Sequence, residues 1–211
     1  MKKAVIFDMD GVIIQSEIFY LKRRELFFNE QGIIISDDFQ QNTIGSNPKA
    51  MFEALFPNDL AKQQEMLIAF ANFRKDFKVN YSEMLTDHIQ EVLTWLKLND
   101  YKIGLASAGE YLSLVNVLEV TGLTGFFDVV VSGADMAKSK PAPDVYLAAA
   151  EKLGMKPSEC VAIEDSTYGI QAAISAGMDC LALKPKDFVI NQSQATEIMI
   201  SLQEIPIWLT R

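Results

Sequence analysis

Short apolar stretches recur along the chain, and polar residues follow them. The first stretch covers residues 4–7, four apolar residues without interruption, and Asp8 comes directly after it. A continuous apolar stretch of this kind predicts a strand buried on both faces, as in a parallel sheet. Asp10 follows after one more residue, on the turn at Gly11. The pattern therefore places two acids at the carboxyl end of the first strand, the edge at which open α/β sheets bind ligands.

Four further apolar stretches predict strands, at residues 102–106, 127–131, 161–163 and 180–183. Around them, apolar residues recur at three- and four-residue spacing, which predicts amphipathic helices. These helices cover residues 89–96, 112–120, 145–153 and 170–176. Because strands alternate with helices, the sequence predicts an α/β fold, a parallel sheet with helices on both faces.

Residues 16–81 follow a different pattern. Phenylalanine and other apolar residues recur there at helical spacing, and the short apolar stretch 33–35 is the one strand signal. This pattern predicts a small all-helical domain inserted after the first strand, with the phenylalanines packed between its helices. The sheet domain is then formed by residues 1–15 and 82–211.

Composition narrows the functional classes. The chain has 211 residues, a formal net charge of −9 and a pI near 4.7. This acidity argues against a surface for nucleic acid or for acidic membranes, which needs basic patches. No apolar run is long enough for a signal-peptide core or a membrane span, so we expect a cytoplasmic protein, and we expect it to be a monomer.

The few cysteines and histidines limit the metal chemistry. Cys160 and Cys180 adjoin apolar stretches and are expected to be buried free thiols in a reducing compartment. With His88 as the single histidine, the chain lacks the ligands of a usual zinc site. A bound metal would therefore take oxygen ligands, which favours Mg²⁺.

The polar residues at the predicted strand ends form one set. They are Asp8 and Asp10 after the first strand, Ser107 after the second, Lys140 beyond the third, and Glu164 and Asp165 after the fourth. Four carboxylates at one edge of a sheet repel one another unless positive charge lies between them. A Mg²⁺ ion and a lysine supply that charge, and together they suit a phosphoryl group, whose oxygens take metal, lysine and N–H or hydroxyl donors.

This chemistry predicts a task for each residue. Asp8, fixed at the strand end, is the better nucleophile and would form an aspartyl phosphate. Asp10, on the turn, would act as general acid and then as general base. The remaining tasks are phosphate binding by Ser107 and the amides after it, charge neutralisation by Lys140, and metal binding by Glu164 and Asp165. Ser107 also has a simpler interpretation, as a cap of the following helix.

The same residues lie in four motifs that occur in order. They are Asp8-Met9-Asp10-Gly11-Val12, Ser107 after its strand, Lys140 within Ser-Lys-Pro-Ala-Pro-Asp, and Glu164-Asp165-Ser166. In these motifs the chain resembles the haloacid dehalogenase-like hydrolases, in the subgroup with a helical cap inserted after the first motif. The resemblance covers essentially the whole chain and implies a Rossmann-like core and covalent catalysis through Asp8. It also implies Mg²⁺ bound by Asp8, the Asp10 carbonyl and Asp165, with Glu164 close by. The second acid, Asp10, implies phosphoryl transfer rather than dehalogenation.

Within this family the chain looks most like β-phosphoglucomutases and small sugar-phosphate phosphatases. Ser107-Ala108 and the loop that begins with Ser139-Lys140 look like the mutase versions of these motifs. The inserted domain departs from the mutase pattern, because Tyr20 stands where mutases carry a histidine. Lys49 is the residue available in place of the mutase arginine that grips the distal phosphate, and a lysine makes a poorer fork.

A cation at Lys75 or Lys78, near the end of the insert, would compensate for the missing arginine. The departures favour a Mg²⁺-dependent phosphatase that hydrolyses a small phosphorylated metabolite, of the sugar-phosphate class, through an aspartyl phosphate on Asp8. A phosphotransferase of the β-phosphoglucomutase type is the alternative, and a non-catalytic binding protein on the same fold is a second one. The predicted substrate contacts are Ser107, Ala108, Ser139, Lys140, Lys49 and Lys75.

Overall fold

Six parallel strands form one sheet in the part of the chain that the structure describes. The computed structural model describes residues 1–43, 47–75, 79–134, 136–186 and 189–211. The strands are β1 (Ala4–Phe7), β2 (Lys102–Ser107), β3 (Val129–Ser132), β4 (Cys160–Glu164), β5 (Asp179–Leu183) and β6 (Glu197–Met199). Their spatial order is β3-β2-β1-β4-β5-β6, and every neighbouring pair is parallel. The predicted parallel α/β sheet is confirmed.

Both faces of the sheet are buried, which explains the uninterrupted apolar stretches. Along β1, Val5 and Phe7 belong to the apolar core on one face, whereas Ala4 and Ile6 belong to the core on the other. Successive side chains of a strand point to opposite faces, so a strand covered on both sides needs an apolar residue at every position. Polar residues are therefore confined to the strand ends, where the candidate site lies.

Helices lie between most of the strands and after the last one. The α-helices in the described ranges are α1 (Glu17–Glu30), α2 (Asp37–Asn42), α3 (Pro48–Leu55), α4 (Leu60–Lys75), α5 (Ile89–Leu98), α6 (Tyr111–Val120), α7 (Asp144–Leu153), α8 (Thr167–Ser175) and α9 (Glu204–Leu209). Short 3-10 helices cover Tyr81–Met84, Thr124–Phe126 and Pro157–Glu159. None of these helices combines the length and the apolar character that a bilayer crossing requires.

The helices cover the sheet on both sides. Val92 of α5, Leu118 of α6 and Ile205 of α9 belong to the same core as Val5 and Phe7. Tyr146 of α7 and Ala173 of α8 belong to the core on the opposite face. The sheet is thus the middle of three layers, and its carboxyl edge remains available for polar residues.

The chain divides into two compact units. One is formed by Met1–Gln15 together with Tyr81–Arg211, and the other by Ser16–Asn80. The predicted insert, residues 16–81, differs from the second unit by one residue. The assignment of these units as a catalytic core and a cap domain stays a prediction.

The second unit is built by packing phenylalanines between its helices. Phe27 of α1, Phe52 of α3 and Phe70 of α4 are buried together, and the ring centroids of Phe27 and Phe70 lie 5.0 Å apart. The rings of these pairs meet edge to face, which aromatic side chains prefer. The packing interpretation of the phenylalanines is confirmed. Residues 33–35 form no strand and lie in the irregular segment between α1 and α2, so that strand signal was misleading.

The carboxyl-terminal part of the sheet domain was not predicted. β6 has three residues, begins with the charged Glu197 and pairs with β5 alone. Its middle residue, Ile198, is exposed, so the sequence there lacks a buried apolar stretch. Sequence periodicity also carries no signal of the pairing between β5 and β6, whose register is Leu181↔Glu197.

We expect both thiols of the native protein to be inert. Cys160 and Cys180 are buried and unpaired, as predicted. Burial raises the pKa of Cys160 to about 11 and raises the pKa of Cys180 as well. Because the thiolate is the reactive form, an aromatic disulfide reagent at pH 8 should label the native protein about 100-fold more slowly than free cysteine. In denaturant both thiols should react at once, and fast labelling of the native protein would contradict their burial.

Candidate active site

Asp8 begins the site, as the first residue after the central strand β1. Its backbone N–H donates to the carbonyl of Ile163 at 2.9 Å, so the parallel pairing of β1 and β4 continues to this residue. The side chain is largely buried, at 11% exposed. A carboxylate at this position is held by the sheet itself, which fixes its orientation better than a loop would.

Lys140 reaches the same point from the loop between β3 and α7. Its ammonium group lies 2.7 Å from Asp8 Oδ1 and 2.6 Å from Glu164 Oε1, and it also donates to the Ala106 carbonyl at 3.1 Å. The lysine side chain is only 9% exposed. One buried cation thus links the carboxyl ends of β1, β2 and β4.

Glu164 is the last residue of β4, and its carboxylate is fully buried. Oε1 accepts hydrogen bonds from Lys140 and from the Tyr146 hydroxyl. Oε2 accepts from the backbone N–H of Asp165 and from both the N–H and the hydroxyl of Ser166. Gly169 makes room for this carboxylate, since a Cβ there would overlap it. Glu164 is therefore a fixed counter-charge for Lys140.

Tyr146 is a site residue that sequence reasoning missed. Its hydroxyl donates to Glu164 Oε1 at 2.8 Å, and its ring centroid lies 4.9 Å from the Lys140 ammonium. In the sequence it falls on the apolar face of α7, next to Val145 and three residues before Ala149, so the helical pattern alone predicts a core residue. The one available signal was its hydroxyl, because a buried tyrosine needs a hydrogen-bond partner.

Three carboxylates at the ends of β1 and β4 can hold one metal ion. Asp8, Glu164 and Asp165 are all buried, and each offers an oxygen within 4.8 Å of the others. Gly11, with a φ of +78°, is required beside them because a Cβ there would overlap the Asp165 carboxylate. Gln192 fixes the backbone of Asp165 by donating to its carbonyl at 2.6 Å. An all-oxygen donor set of this kind suits Mg²⁺.

The electrostatics of this cluster also suit a bound cation. Burial, and to a lesser extent the negative charges of Glu164 and Asp10, raise the pKa of the Asp8 carboxyl to about 7 against the opposing effect of Lys140. Burial lowers the pKa of Lys140, but the carboxylates of Asp8 and Glu164 outweigh it and raise that pKa above its usual value. Lys140 is therefore charged at neutral pH, and one lysine does not fully compensate the acids around it.

Ser107 ends β2 and begins the loop that leads to α6. Its hydroxyl oxygen accepts a hydrogen bond from the Gly109 N–H at 3.1 Å. The Gly109 carbonyl in turn accepts from the Ser132 hydroxyl at 2.7 Å, so the end of β3 holds this loop. The alternative that Ser107 caps α6 is wrong, because the capping position is Glu110. Ala108 lies half-buried between Ser107 and Gly109.

The predicted site residues Asp10 and Ser139 lie on loops of the sheet domain. Asp10 is half-buried on the turn after β1, where its backbone bridges to Ile14. Ser139 is exposed, directly before Lys140.

The two predicted lysine contacts lie in the helical unit. Lys49 is exposed on α3, and its ammonium lies 3.9 Å from the Glu53 carboxylate. Lys75 ends α4 and donates a hydrogen bond to the Asn72 side chain.

Two other residues of the mutase comparison belong to the helical unit. Tyr20 lies on α1, where the Arg23 guanidinium covers its ring at 4.6 Å from the centroid. Lys78 lies outside the described residues. The structure thus brings together Asp8, Lys140, Glu164 and Asp165 at one point, with Ser107 beside them on β2, while the roles of Lys49 and Lys75 in the helical unit stay predictions.

Comparison with known proteins finds one matching family model and several relatives. The family model of the haloacid dehalogenase-like hydrolases matches residues 5–183. The chain is 30% identical over 183 residues to a phosphorylated carbohydrates phosphatase of Thermotoga maritima, covering 84% of this chain and 82% of that protein. It is also 30% identical over 189 residues to a β-phosphoglucomutase of Bacillus subtilis, covering 83% and 80%.

Two further comparisons concern length and fold. The chain is 34% identical over 191 residues to the chloroplastic protein SUPPRESSOR OF QUENCHING 1 of Arabidopsis thaliana; the match covers 86% of this chain but only 18% of that much longer protein. The crystal structure of a β-phosphoglucomutase from Clostridium difficile superposes with a TM-score of 0.81 at 24% identity, covering all of both chains. The latter likeness shows a shared fold.

Proposed function

Because the chain belongs to the haloacid dehalogenase-like hydrolase family, we propose that it is a phosphatase that transfers the phosphoryl group of a small phosphorylated carbohydrate first to Asp8 and then to water. The observation that carries this proposal is the buried pair of Asp8 and Lys140 at the carboxyl edge of the sheet, 2.7 Å apart and next to two further acids. A carboxylate fixed beside a cation is a competent nucleophile towards a phosphoryl group, whose charge the cation neutralises.

In the first half-reaction, a carboxylate oxygen of Asp8 attacks phosphorus and forms an acyl phosphate. The bond between phosphorus and the ester oxygen breaks, and the leaving oxygen takes a proton from Asp10. Lys140 stabilises the negative charge that gathers on the phosphoryl oxygens, and Ser107 with the backbone amides that follow it binds these oxygens. The products are the aspartyl phosphate and the free alcohol of the substrate.

In the second half-reaction, water attacks the phosphorus of the aspartyl phosphate. Asp10, now ionised, accepts a proton from that water, the acyl–oxygen link to phosphorus breaks, and Asp8 is regenerated together with inorganic phosphate. Asp10 donates a proton in the first half-reaction and regains one in the second, so it ends the cycle in its starting protonation state.

Asp8, Asp165 and the Asp10 carbonyl would hold Mg²⁺, with Glu164 close by. The ion, when bound, would neutralise phosphoryl oxygens and the neighbouring carboxylates. The Glu164 carboxylate already accepts five hydrogen bonds. We therefore propose that Asp8 and Asp165 are the carboxylates that bind the ion directly, and that Glu164 neutralises the charge of Lys140.

We expect Mg²⁺ to stabilise the protein even without substrate. An ion that binds only the folded state raises the free energy of unfolding, by about 2.7 kcal/mol when its free concentration is a hundred times Kd. The melting temperature rises with it. Asp165→Asn should abolish this shift, because it removes one ligand charge from the cluster. Asp100→Asn is the matched control, since Asp100 lies on the turn after α5 with a φ of +59°, which asparagine accepts readily. Differential scanning fluorimetry across a Mg²⁺ series measures the shift, and an undiminished shift in Asp165→Asn would exclude this site.

A mutase is the second candidate, because a β-phosphoglucomutase is among the relatives at 30% identity. The decisive experiment supplies β-glucose 1-phosphate, Mg²⁺ and a trace of glucose 1,6-bisphosphate, and follows inorganic phosphate and glucose 6-phosphate together. We expect phosphate to dominate, because Tyr20 and Lys49 depart from the mutase pattern. Faster formation of glucose 6-phosphate would establish the mutase instead.

The absence of both products would move the test to a panel of sugar and polyol phosphates and to an aryl phosphate. Hydrolysis of any of them that depends on Mg²⁺ and on Asp8 supports the phosphatase. Tight binding of a phosphorylated sugar without turnover of any ester would support the non-catalytic alternative.

A further inference from the structure

The Tyr146 side chain is fully buried beside Lys140 and Glu164, and the reaction steps above do not use it. It is the third residue of α7, six residues after Lys140 in the chain. Its hydroxyl lies 2.8 Å from Glu164 Oε1 and 3.4 Å from the Lys140 ammonium. A ring alone would fill this part of the core, so the hydroxyl requires a separate explanation.

The hydrogen-bond directions around Lys140 are determined by its valence. An ammonium group has three donors and no acceptor. The three shortest contacts of Lys140 are with Glu164 at 2.6 Å, Asp8 at 2.7 Å and the Ala106 carbonyl at 3.1 Å, and these take all three donors. The Tyr146 hydroxyl is a fourth, longer contact of the ammonium, at 3.4 Å, and it donates its own proton to Glu164 Oε1, which can only accept.

Glu164 Oε1 is consequently shared between two donors, the lysine ammonium and the tyrosine hydroxyl. Glu164 and Asp8 compete for the Lys140 ammonium, which lies 2.6 Å from Glu164 Oε1 and 2.7 Å from Asp8 Oδ1. A second donor on Oε1 reduces the share of the Glu164 charge that acts on the ammonium, since hydrogen bonds to a carboxylate disperse its charge. Without it, Glu164 would attract the ammonium more strongly, in competition with Asp8.

We propose that the Tyr146 hydroxyl is a positioning group that keeps the Lys140 ammonium at Asp8 by taking up part of the charge of Glu164. The consequence for catalysis rests on the proposed function, in which Asp8 receives the phosphoryl group and Lys140 neutralises it. Tyr146 touches neither the nucleophile nor the phosphoryl group in this scheme, so its effect passes through Lys140.

Tyr146→Phe isolates the hydroxyl, because the phenyl ring keeps the packing and the contact with the ammonium. With an aryl phosphate and saturating Mg²⁺, we expect kcat to fall about tenfold and KM to stay within about twofold, as for the loss of one hydrogen bond to a charged group. Tyr101→Phe is the matched control, since Tyr101 stacks on Trp95 in the other core. An unchanged kcat in Tyr146→Phe would overturn the proposal.

A double-mutant cycle separates positioning from general packing. If Tyr146 acts through Lys140, the same Tyr146→Phe change in a Lys140→Met background should lower kcat/KM by less than about twofold, measured at high enzyme concentration. Equal losses in both backgrounds would mean that the hydroxyl acts independently of Lys140, and the proposal would be wrong.

A crystal structure of Tyr146→Phe decides the geometric claim whether or not the protein turns over a phosphate ester. We expect the distance from the Lys140 ammonium to Asp8 Oδ1 to exceed about 3.5 Å, beyond hydrogen-bond range, with Glu164 still in contact. An ammonium that remains at Asp8 would refute the positioning role. If the native protein hydrolyses no ester but this displacement occurs, the proposed function fails while the positioning of Lys140 stands.

Discussion

Replacing Asp8 by asparagine should reduce the hydrolysis of an aryl phosphate in the presence of Mg²⁺ by about 10³-fold or more. The amide oxygen of asparagine can still accept the hydrogen bond from Lys140, but a neutral amide is a very poor nucleophile towards phosphorus. The change also removes a buried negative charge, and burial already raises the pKa of the Asp8 carboxyl to about 7, so the fold should tolerate it. We therefore expect the melting temperature to stay within about 5 °C of the native value.

The same variant tests the covalent intermediate. Rapid acid quenching of the native protein with a phosphate-labelled substrate should trap label on the protein, and the trapped label should map to the peptide that contains Asp8. Asp8→Asn should retain none, while Asp100→Asn should behave as the native protein does. Full activity of Asp8→Asn would remove Asp8 as the nucleophile, and loss of activity with label elsewhere would assign that role to another residue.

The central part of this site was accessible from the sequence because a parallel sheet brings its strand ends together. Asp8 and Glu164 follow apolar stretches that are buried on both faces, and β1 and β4 are neighbours in the sheet. Once the strands are identified, the meeting of these acids follows from topology. The position of Lys140 followed less directly, since it comes from a loop, and only its motif indicated that it reaches Asp8.

The sequence pattern did not predict that Tyr146 and Gln192 contact the site. Tyr146 occupies a position on α7 at which any large apolar residue would satisfy the helical pattern, and its hydrogen bond to Glu164 spans 18 residues of sequence. Gln192 lies in a polar segment, and its bond to the Asp165 carbonyl spans 27 residues. Periodicity reports which face of an element is buried, but it carries no information about which buried polar groups become partners.

Lys140→Met should impair both stability and catalysis, because it removes the cation that contacts two buried carboxylates while keeping an aliphatic side chain of similar length. Glu164 is fully buried and would be left with an uncompensated charge, which costs about 3–5 kcal/mol in comparable buried pairs. We expect the free energy of unfolding in metal-free buffer to fall by about that amount, measured by urea denaturation. We also expect kcat/KM for the aryl phosphate to fall by about 10²-fold or more, since the phosphoryl oxygens lose a buried positive charge.

The double variant Lys140→Met/Glu164→Gln distinguishes these two effects. Removing both members of a buried ion pair is far less costly than removing one, so most of the lost stability should return. Activity should not return, because neither methionine nor glutamine neutralises the phosphoryl group at Asp8. Lys138→Met, at an exposed position two residues earlier, should leave both the stability and the activity unchanged.

If the double variant is as unstable as Lys140→Met, the loss of stability comes from packing, and Lys140 does not serve as the counter-charge of Glu164. If Lys140→Met retains full activity, the phosphoryl charge is neutralised elsewhere, and the ion pair with Asp8 is a structural contact only.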